Sequence, residues 1–301
     1  MQPTLINATL KYWLLQPAPA LRSRISCYFV VDAGDNPYHV DELLLPDGYS
    51  EIVFALAAGF DRWVVGEADR CSVMRRSYLI GGRSTSVVTG GAQRLYLVGV
   101  KLDPRFLRGL IDVPLGEFPD ATLELRDLDA RPLLDLEDAV AACRSVEAIA
   151  ATLDRHFLRE LPRATRREAV VDWAVRRIHE QRGAGSVAAW AREANVAERT
   201  LERRFTAAIG MPPKRYARIV RFRHAYRRLI AHRGTGARRG DGWLDGYYDQ
   251  AHFIKEFRHF TGASPTTLLG VQAPSSRVVN DHLLLGDSSM QTPRPSRRSP
   301  V

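Results

Sequence analysis

The feature that most constrains the fold is a block that occurs twice in the last part of the chain. Arg199-Thr-Leu-Glu-Arg-Arg-Phe-Thr-Ala-Ala-Ile-Gly-Met-Pro-Pro213 and Ala251-His-Phe-Ile-Lys-Glu-Phe-Arg-His-Phe-Thr-Gly-Ala-Ser-Pro265 share the frame Phe-x4-Gly-x-x-Pro. Each has an apolar residue four before its Phe. Leu201, Phe205 and Ile209 make one helical stripe, and Phe253, Phe257 and Phe260 make another. These residues are core in both readings of the block, with or without a ligand. Gly210 stops the first helix and Pro212-Pro213 opens the next, which runs to about His232.

The faces opposite the stripes are polar. Arg199 and Arg203 are four residues apart, so they project side by side, with Glu202 next to them. Arg can bond a guanine edge with two donors, and Glu can accept from cytosine, which is the array a major-groove helix needs. The bland alternative is a solvated face with intrahelical salt bridges. Flanking sequence favours the first reading. Ser186 is a good N-cap for a helix over Val187–Ala194. Asn195-Val196 interrupts it, and a second helix follows over Glu198–Ile209. That is a helix-turn-helix pattern with Glu198–Ile209 as recognition helix. A preceding helix covers roughly 168–182, and further helical pieces lie near Asp249–Phe260 and Pro265–Leu269.

Charge supports a polyanionic partner for this half. Residues 163–270 carry 22 Lys and Arg against 10 Asp and Glu, whereas residues 1–162 carry 17 against 22. Binding to nucleic acid is the expected use of such an asymmetry. No apolar run approaches the ~20 residues of a membrane span. The N-terminus lacks the pattern of a secretory signal. Cys27, Cys71 and Cys143 are too dispersed for a disulfide framework and read as buried, apolar-like residues in a reducing cytosol.

The first half reads as short strands: Ile25–Val31, Leu43–Leu45, Glu51–Leu56, Arg62–Gly66, Ser77–Ile80, Thr85–Thr89 and Arg94–Leu102, with Pro46-Asp-Gly48 as a turn. Helical spacing follows over Arg105–Ile111, Asp127–Cys143 and Ser145–Leu161. The fold class is thus α+β and multidomain. A β-rich barrel or sandwich with closing helices covers 1–160, and 161–185 is a linker and connecting helix. An all-α double helix-turn-helix covers 186–270, and 271–301 is a Ser/Pro/Arg-rich disordered tail.

No catalytic constellation stands out in the β half. It has only His39 and His156, too few for a histidine-rich metal site, and no nucleophile elbow or phosphate loop. No cofactor is expected. A catalytic or structural β domain carrying a DNA-targeting module is the alternative of a different class. Trp13, Tyr28, Tyr49, Trp63 and Tyr96 are weak candidates for lining an effector pocket, against the simpler reading of an ordinary barrel core.

Ser186–Leu269 resembles the double helix-turn-helix domain of AraC-type transcription regulators. The resemblance rests on AlaArgGluAla (191–194), ArgThrLeuGluArgArgPhe (199–205), Gly210 with Pro213, the Tyr216/Arg221/Leu229 helix, GlyTyrTyrAspGlnAlaHisPhe (246–253), PheArgHisPheThrGly (257–262) and SerPro (264–265). The first half is similar, more weakly, to the cupin-like sensor domain of one subgroup, through residues 44–54 and 97–104. The resemblance implies a cytoplasmic, bacterial regulator that binds double-stranded operator DNA, with an effector or partner on the N-terminal domain. RNA polymerase is a further candidate partner. Dimerisation is optional, because two units on one chain can span successive major grooves. Base-reading positions carry over to Arg199, Glu202 and Arg203, and to Gln250, His252, Ile254 and Lys255. Lys214, Arg215, Arg223, Arg227, Arg228 and Arg258 are expected on phosphates. Arg221 is either another phosphate contact or an internal structural residue. Where the family has an apolar-periodic supporting helix, residues 234–245 hold four glycines. That helix is expected to be short, frayed or absent, leaving specificity mainly with the first unit.

Overall fold

A computed structural model describes residues 4–5, 10–34, 42–57, 59–65, 67–90, 94–111, 120, 122–162, 168–231 and 246–271. The expectations for the segment 234–245 and for the tail lie outside these residues.

The N-terminal half consists of two antiparallel sheets. One has seven strands in the order β1-β2-β3-β10-β5-β8-β11: Thr4–Leu5, Lys11–Leu15, Ile25–Asp32, Tyr96–Leu102, Ser50–Ala55, Tyr78–Ile80 and Thr122–Glu124. The other has four, in the order β4-β9-β6-β7: Glu42–Leu44, Val87–Gly90, Phe60–Val64 and Glu67–Met74. The seven-stranded sheet is apolar on both faces, so its strands read as near-continuous hydrophobic runs. One face carries Tyr28, Val30, Ile52, Phe54, Leu79, Val98 and Val100. These pack with Leu133, Leu136, Ile149, Leu153 and Phe157 of α2 (Arg131–Ala141) and α3 (Val146–Glu160), and with Phe106 of α1 (Pro104–Leu110). The other face, with Phe29, Val31, Val53, Tyr78, Ile80 and Leu97, looks toward the four-stranded sheet. Gly99 pairs with Phe29 in the ladder, and a Cβ there would stand 1.9 Å from the Phe29 ring. Glycine is what lets that ring lie across β10.

The C-terminal half is helical: α4 (Ala169–Glu180), α5 (Val187–Glu193), α6 (Glu198–Ile209), α7 (Pro213–Ala231), α8 (Gln250–Thr261) and α9 (Pro265–Val271). α4 gives Val171, Ala174, Val175 and Ile178 to the same core as Trp190, Leu201, Phe205, Phe222, Phe253 and Phe257. α7 is the axis of this core. Tyr216, Ala217, Ile219, Val220, Phe222, Ala225 and Tyr226 are all buried, on more than one side of the helix. A helix buried nearly all round cannot offer a continuous basic face to solvent.

The two halves pack on each other. Asp47 and Gly48, in the turn before β5, meet α7: Arg223 donates to the Asp47 carbonyl at 2.8 Å, and Tyr216 lies 3.1 Å from where a Gly48 Cβ would be. Gly48 has φ +79°, a conformation that favours glycine. Ser86 Oγ donates to the Phe260 carbonyl, and Arg105 of α1 bridges Asp103 and Asp172.

Candidate nucleic-acid interface

The first helix-turn-helix unit forms as its local sequence dictates. Ser186 Oγ accepts from the Ala189 amide at 3.2 Å and caps α5. Asn195, at φ +53°, turns the chain, and the Val196 amide returns to the Ala191 carbonyl at 3.0 Å. α6 then runs from Glu198 to Gly210, whose φ of +86° ends it. Leu201, Phe205, Ala208 and Ile209 are buried, and Arg199, Glu202 and Arg203 are exposed on the other side.

The second recognition helix, α8, starts at Asp249, whose carboxylate accepts from the His252 amide at 2.7 Å, and ends at left-handed Gly262. Phe253, Phe257 and Phe260 are buried. Gln250, His252 and Lys255 are exposed, and Ile254 is half-buried against the core. Arg199, Glu202 and Arg203 thus share one open face of α6, whereas Gln250, His252 and Lys255 are spread around the exposed side of α8. Lys214, Arg218, His252, Lys255 and His259 line a cleft between the two units.

α8 also carries a buried charge that the sequence did not flag. Glu256 is 4% exposed and holds two arginines of α7. Arg218 Nε reaches it at 2.7 Å, and Arg221 bonds both its oxygens, at 2.7 and 2.8 Å. Arg221 also lies over the Tyr247 ring, 5.0 Å from its centre. Of the two roles left open for Arg221, the internal one is what the geometry shows.

The phosphate candidates divide. Lys214 and Arg258 are exposed, and Arg227 and Arg228 are half-buried near the end of α7. One departs from expectation. Arg223 is buried, bonded to the Asp47 carbonyl and set over the Tyr49 ring at 5.6 Å, so it joins the domains and does not face a duplex. Arg215 stays exposed and reaches toward the β domain, with Ser84 Oγ at 3.2 Å and the Asp120 carboxylate at 3.7 Å. The cause of the Arg223 burial is the phase of α7, which sets that residue on a face covered by the β domain.

The effector-pocket candidates lie away from the cavity between the sheets. A cavity of about 70 Å³ lies between the sheets, lined by Tyr12, Phe29, Arg62, Leu95 and Leu97 among others, and by none of Trp13, Tyr28, Tyr49, Trp63 and Tyr96. Four of the five are adjacent in sequence to a lining residue, hence on the opposite face of the strand. Tyr28 points to the helices, where its hydroxyl bonds Asp154 at 2.9 Å, and burial with that carboxylate pushes the phenol well above its usual range. Trp13 and Tyr96 pack on the same helix-covered side. Trp63 is half-buried, in the same phase of β6 as Asp61 rather than that of Phe60 and Arg62. Tyr49 sits at the domain contact with Arg223 and Lys101. Of the cysteines, Cys27 is buried as expected, whereas Cys143 is partly exposed and Cys71 is exposed on β7 at the edge of its sheet.

The residues that sequence reasoning missed are buried charges. Lys101 is fully buried and bonds the Asp47 carboxylate, with Glu51 at 3.8 Å, and Glu51 also pairs with Arg83. Burial alone would raise the Asp47 carboxyl, but Lys101, Arg83 and Arg223 outweigh it and hold it below the usual carboxylate range. The only signal for Arg62 is its phase: it lies two residues from Phe60, on the inward side of β6.

Comparison with known proteins finds two family models that match parts of the chain. A family model described as a helix-turn-helix domain matches residues 190–270, and a model described as a domain of unknown function (DUF6597) matches residues 14–124. No curated protein matches significantly. Among solved structures, apo ToxT K231A from Vibrio cholerae strain SCE256 is similar at a TM-score of 0.42 and 9% identity, covering 88% of this chain and 98% of ToxT. The AraC-like transcriptional activator CuxR is similar at a TM-score of 0.26 and 14% identity, covering 79% of this chain and 91% of CuxR. Among the described residues no helix is long and apolar enough to cross a membrane. The chain carries a helix-turn-helix domain over residues 190–270, behind a β-rich N-terminal domain.

Proposed function

We propose that this regulator acts in the cytoplasm by placing α6 and α8 in successive major grooves of operator DNA, with a small-molecule effector bound by the N-terminal domain. The observation that carries the reading is the pair of amphipathic helices on one core. Arg199, Glu202 and Arg203 are exposed on one, and Gln250, His252 and Lys255 on the other. Arg199 and Arg203 supply bidentate donors for guanine, Gln250 can pair with adenine, and Lys255 serves guanine or phosphate. Lys214 and Arg258 anchor the flanking phosphates.

The test is footprinting of the full chain on DNA upstream of its own gene, at several salt concentrations. The expected result is a protected site with affinity that falls steeply with salt, since each phosphate neutralised releases condensed counterions. Absence of protection, with a log–log salt slope near zero, overturns the proposal.

A further inference from the structure

The cavity between the two sheets has apolar walls and a charged end. Phe29, Val53, Phe60, Leu95 and Leu97 are among its lining, and Glu51, Arg62 and Arg83 also face it. Both arginines are nearly out of reach of solvent, Arg62 at 6% and Arg83 at 2% exposure. Each has one hydrogen-bond partner at one end: Arg62 Nη1 bonds Thr122 at 2.7 Å, and Arg83 Nη2 bonds Glu51. Among the described residues, Nε and Nη2 of Arg62 and Nε and Nη1 of Arg83 are buried without a hydrogen-bond partner. Buried donors on a charged group are costly to leave unmade, so four of them at one cavity call for an acceptor.

The charge balance points the same way. Arg62, Arg83, Lys101 and Arg223 are buried in this region among the described residues, with Asp47 and Glu51 as the buried carboxylates. Glu51 is divided between Arg83 and Lys101. Burial, followed by the neighbouring Arg83 charge, lowers the affinity of Arg62 for its proton against Tyr78, Glu51 and Asp120, whereas at Arg83 the burial is outweighed by Glu51, Asp47, Tyr78 and Asp120. A planar carboxylate offers two acceptor oxygens to guanidinium forks, and most of the remaining lining is apolar, with hydroxyls only on Tyr12, Tyr78 and Thr89.

We propose that this cavity binds a small apolar monocarboxylate, with its carboxylate on Arg62 and Arg83 and its hydrocarbon body against Phe29, Phe60 and Leu97. At about 70 Å³, roughly half of a cavity that holds a benzene ring, the space suits a chain of a few carbons. The proposal rests on the reading of the N-terminal half as the effector domain and names the chemistry of that effector.

The experiment is calorimetric titration of the full chain with propionate and butyrate, and with the neutral isosteres propionamide and butyramide. The acids should bind with a dissociation constant near or below about 1 mM, and the amides about tenfold or more weakly. Arg62→Gln should remove that preference. Arg62→Lys keeps the charge but loses the fork, so it guards against a variant that fails to fold and should weaken acid binding by severalfold. Equal affinity for acid and amide overturns the proposal, as does unchanged acid binding in both Arg62 variants or no binding by any of the four compounds. The same preparations are assayed on promoter DNA. Acid binding without DNA binding tells against the helix-turn-helix reading and leaves the cavity proposal standing.

Discussion

One residue before the helix phenylalanine, the first reading unit has Arg204 and the second has Glu256. Arg204 is exposed, whereas Glu256 is buried under Arg218 and Arg221. The two units share a Phe-x4-Gly-x-x-Pro frame and a core, yet they are held by different forces. α6 leans on its partner helix α5 through Val187, Trp190 and Ala191, an apolar contact. α8 is tied to α7 by a charged clamp as well as by Phe222, which meets Phe257 edge-on and Phe260 at a tilt. The motif therefore sets the shape of each helix but not what fastens it.

The largest expected difference lies at that position. Glu256→Ala leaves Arg218 and Arg221 facing a desolvated site without their carboxylate and should cost about 3–5 kcal/mol of stability. Arg204→Ala, a surface change, should stay within about 0.5 kcal/mol. Chemical denaturation of both variants measures this, and equal losses would break the comparison.

Next come the reading faces. Alanine at Arg199 plus Arg203 should remove base contacts worth about 1–3 kcal/mol for each bidentate pair. Alanine at Gln250 plus Lys255 should cost less specificity, because Lys255 lacks a bidentate fork. Footprinting of the two half-sites compares them. Equal loss of discrimination would make the units equivalent readers.

The smallest effect concerns the helix starts. α8 is capped by the Asp249 carboxylate, whereas α6 starts at Ala197, which has no side-chain cap. Asp249→Ala should cost about 1 kcal/mol, and Ala197→Asp should stabilise by a similar amount. Thermal melting distinguishes these. No gain from Ala197→Asp would mean that the amides at the start of α6 are already satisfied in another way.

Much of this architecture is legible in the sequence because turn residues punctuate it. Ser186, Gly210, Pro213 and Gly262 place helix ends within a residue or so of where they fall. The cavity was not legible, for two reasons. Both faces of the seven-stranded sheet are apolar, so aromatic content does not say which face is which. Tyr28 and Phe29 are equally good candidates until the ladder fixes the register. The charged cluster joins Asp47, Glu51, Arg83 and Lys101 across up to 54 residues of chain, and a charge in a strand reads locally as solvent-facing. Arg223 fails for the same reason: within Arg221-Phe-Arg-His it reads as one of a basic run, and only the docking of the β domain buries it.

The central claim is that the exposed face of α6 reads base edges. Its most direct test is the affinity of wild-type protein and of Arg203→Ala for upstream DNA and for a shuffled sequence of the same composition, with Lys214→Ala as a phosphate-contact control. The account predicts that Arg203→Ala loses about 1–3 kcal/mol on the specific site and little on the shuffled one, whereas Lys214→Ala weakens both alike. Equal losses on the two DNAs for Arg203→Ala would contradict it.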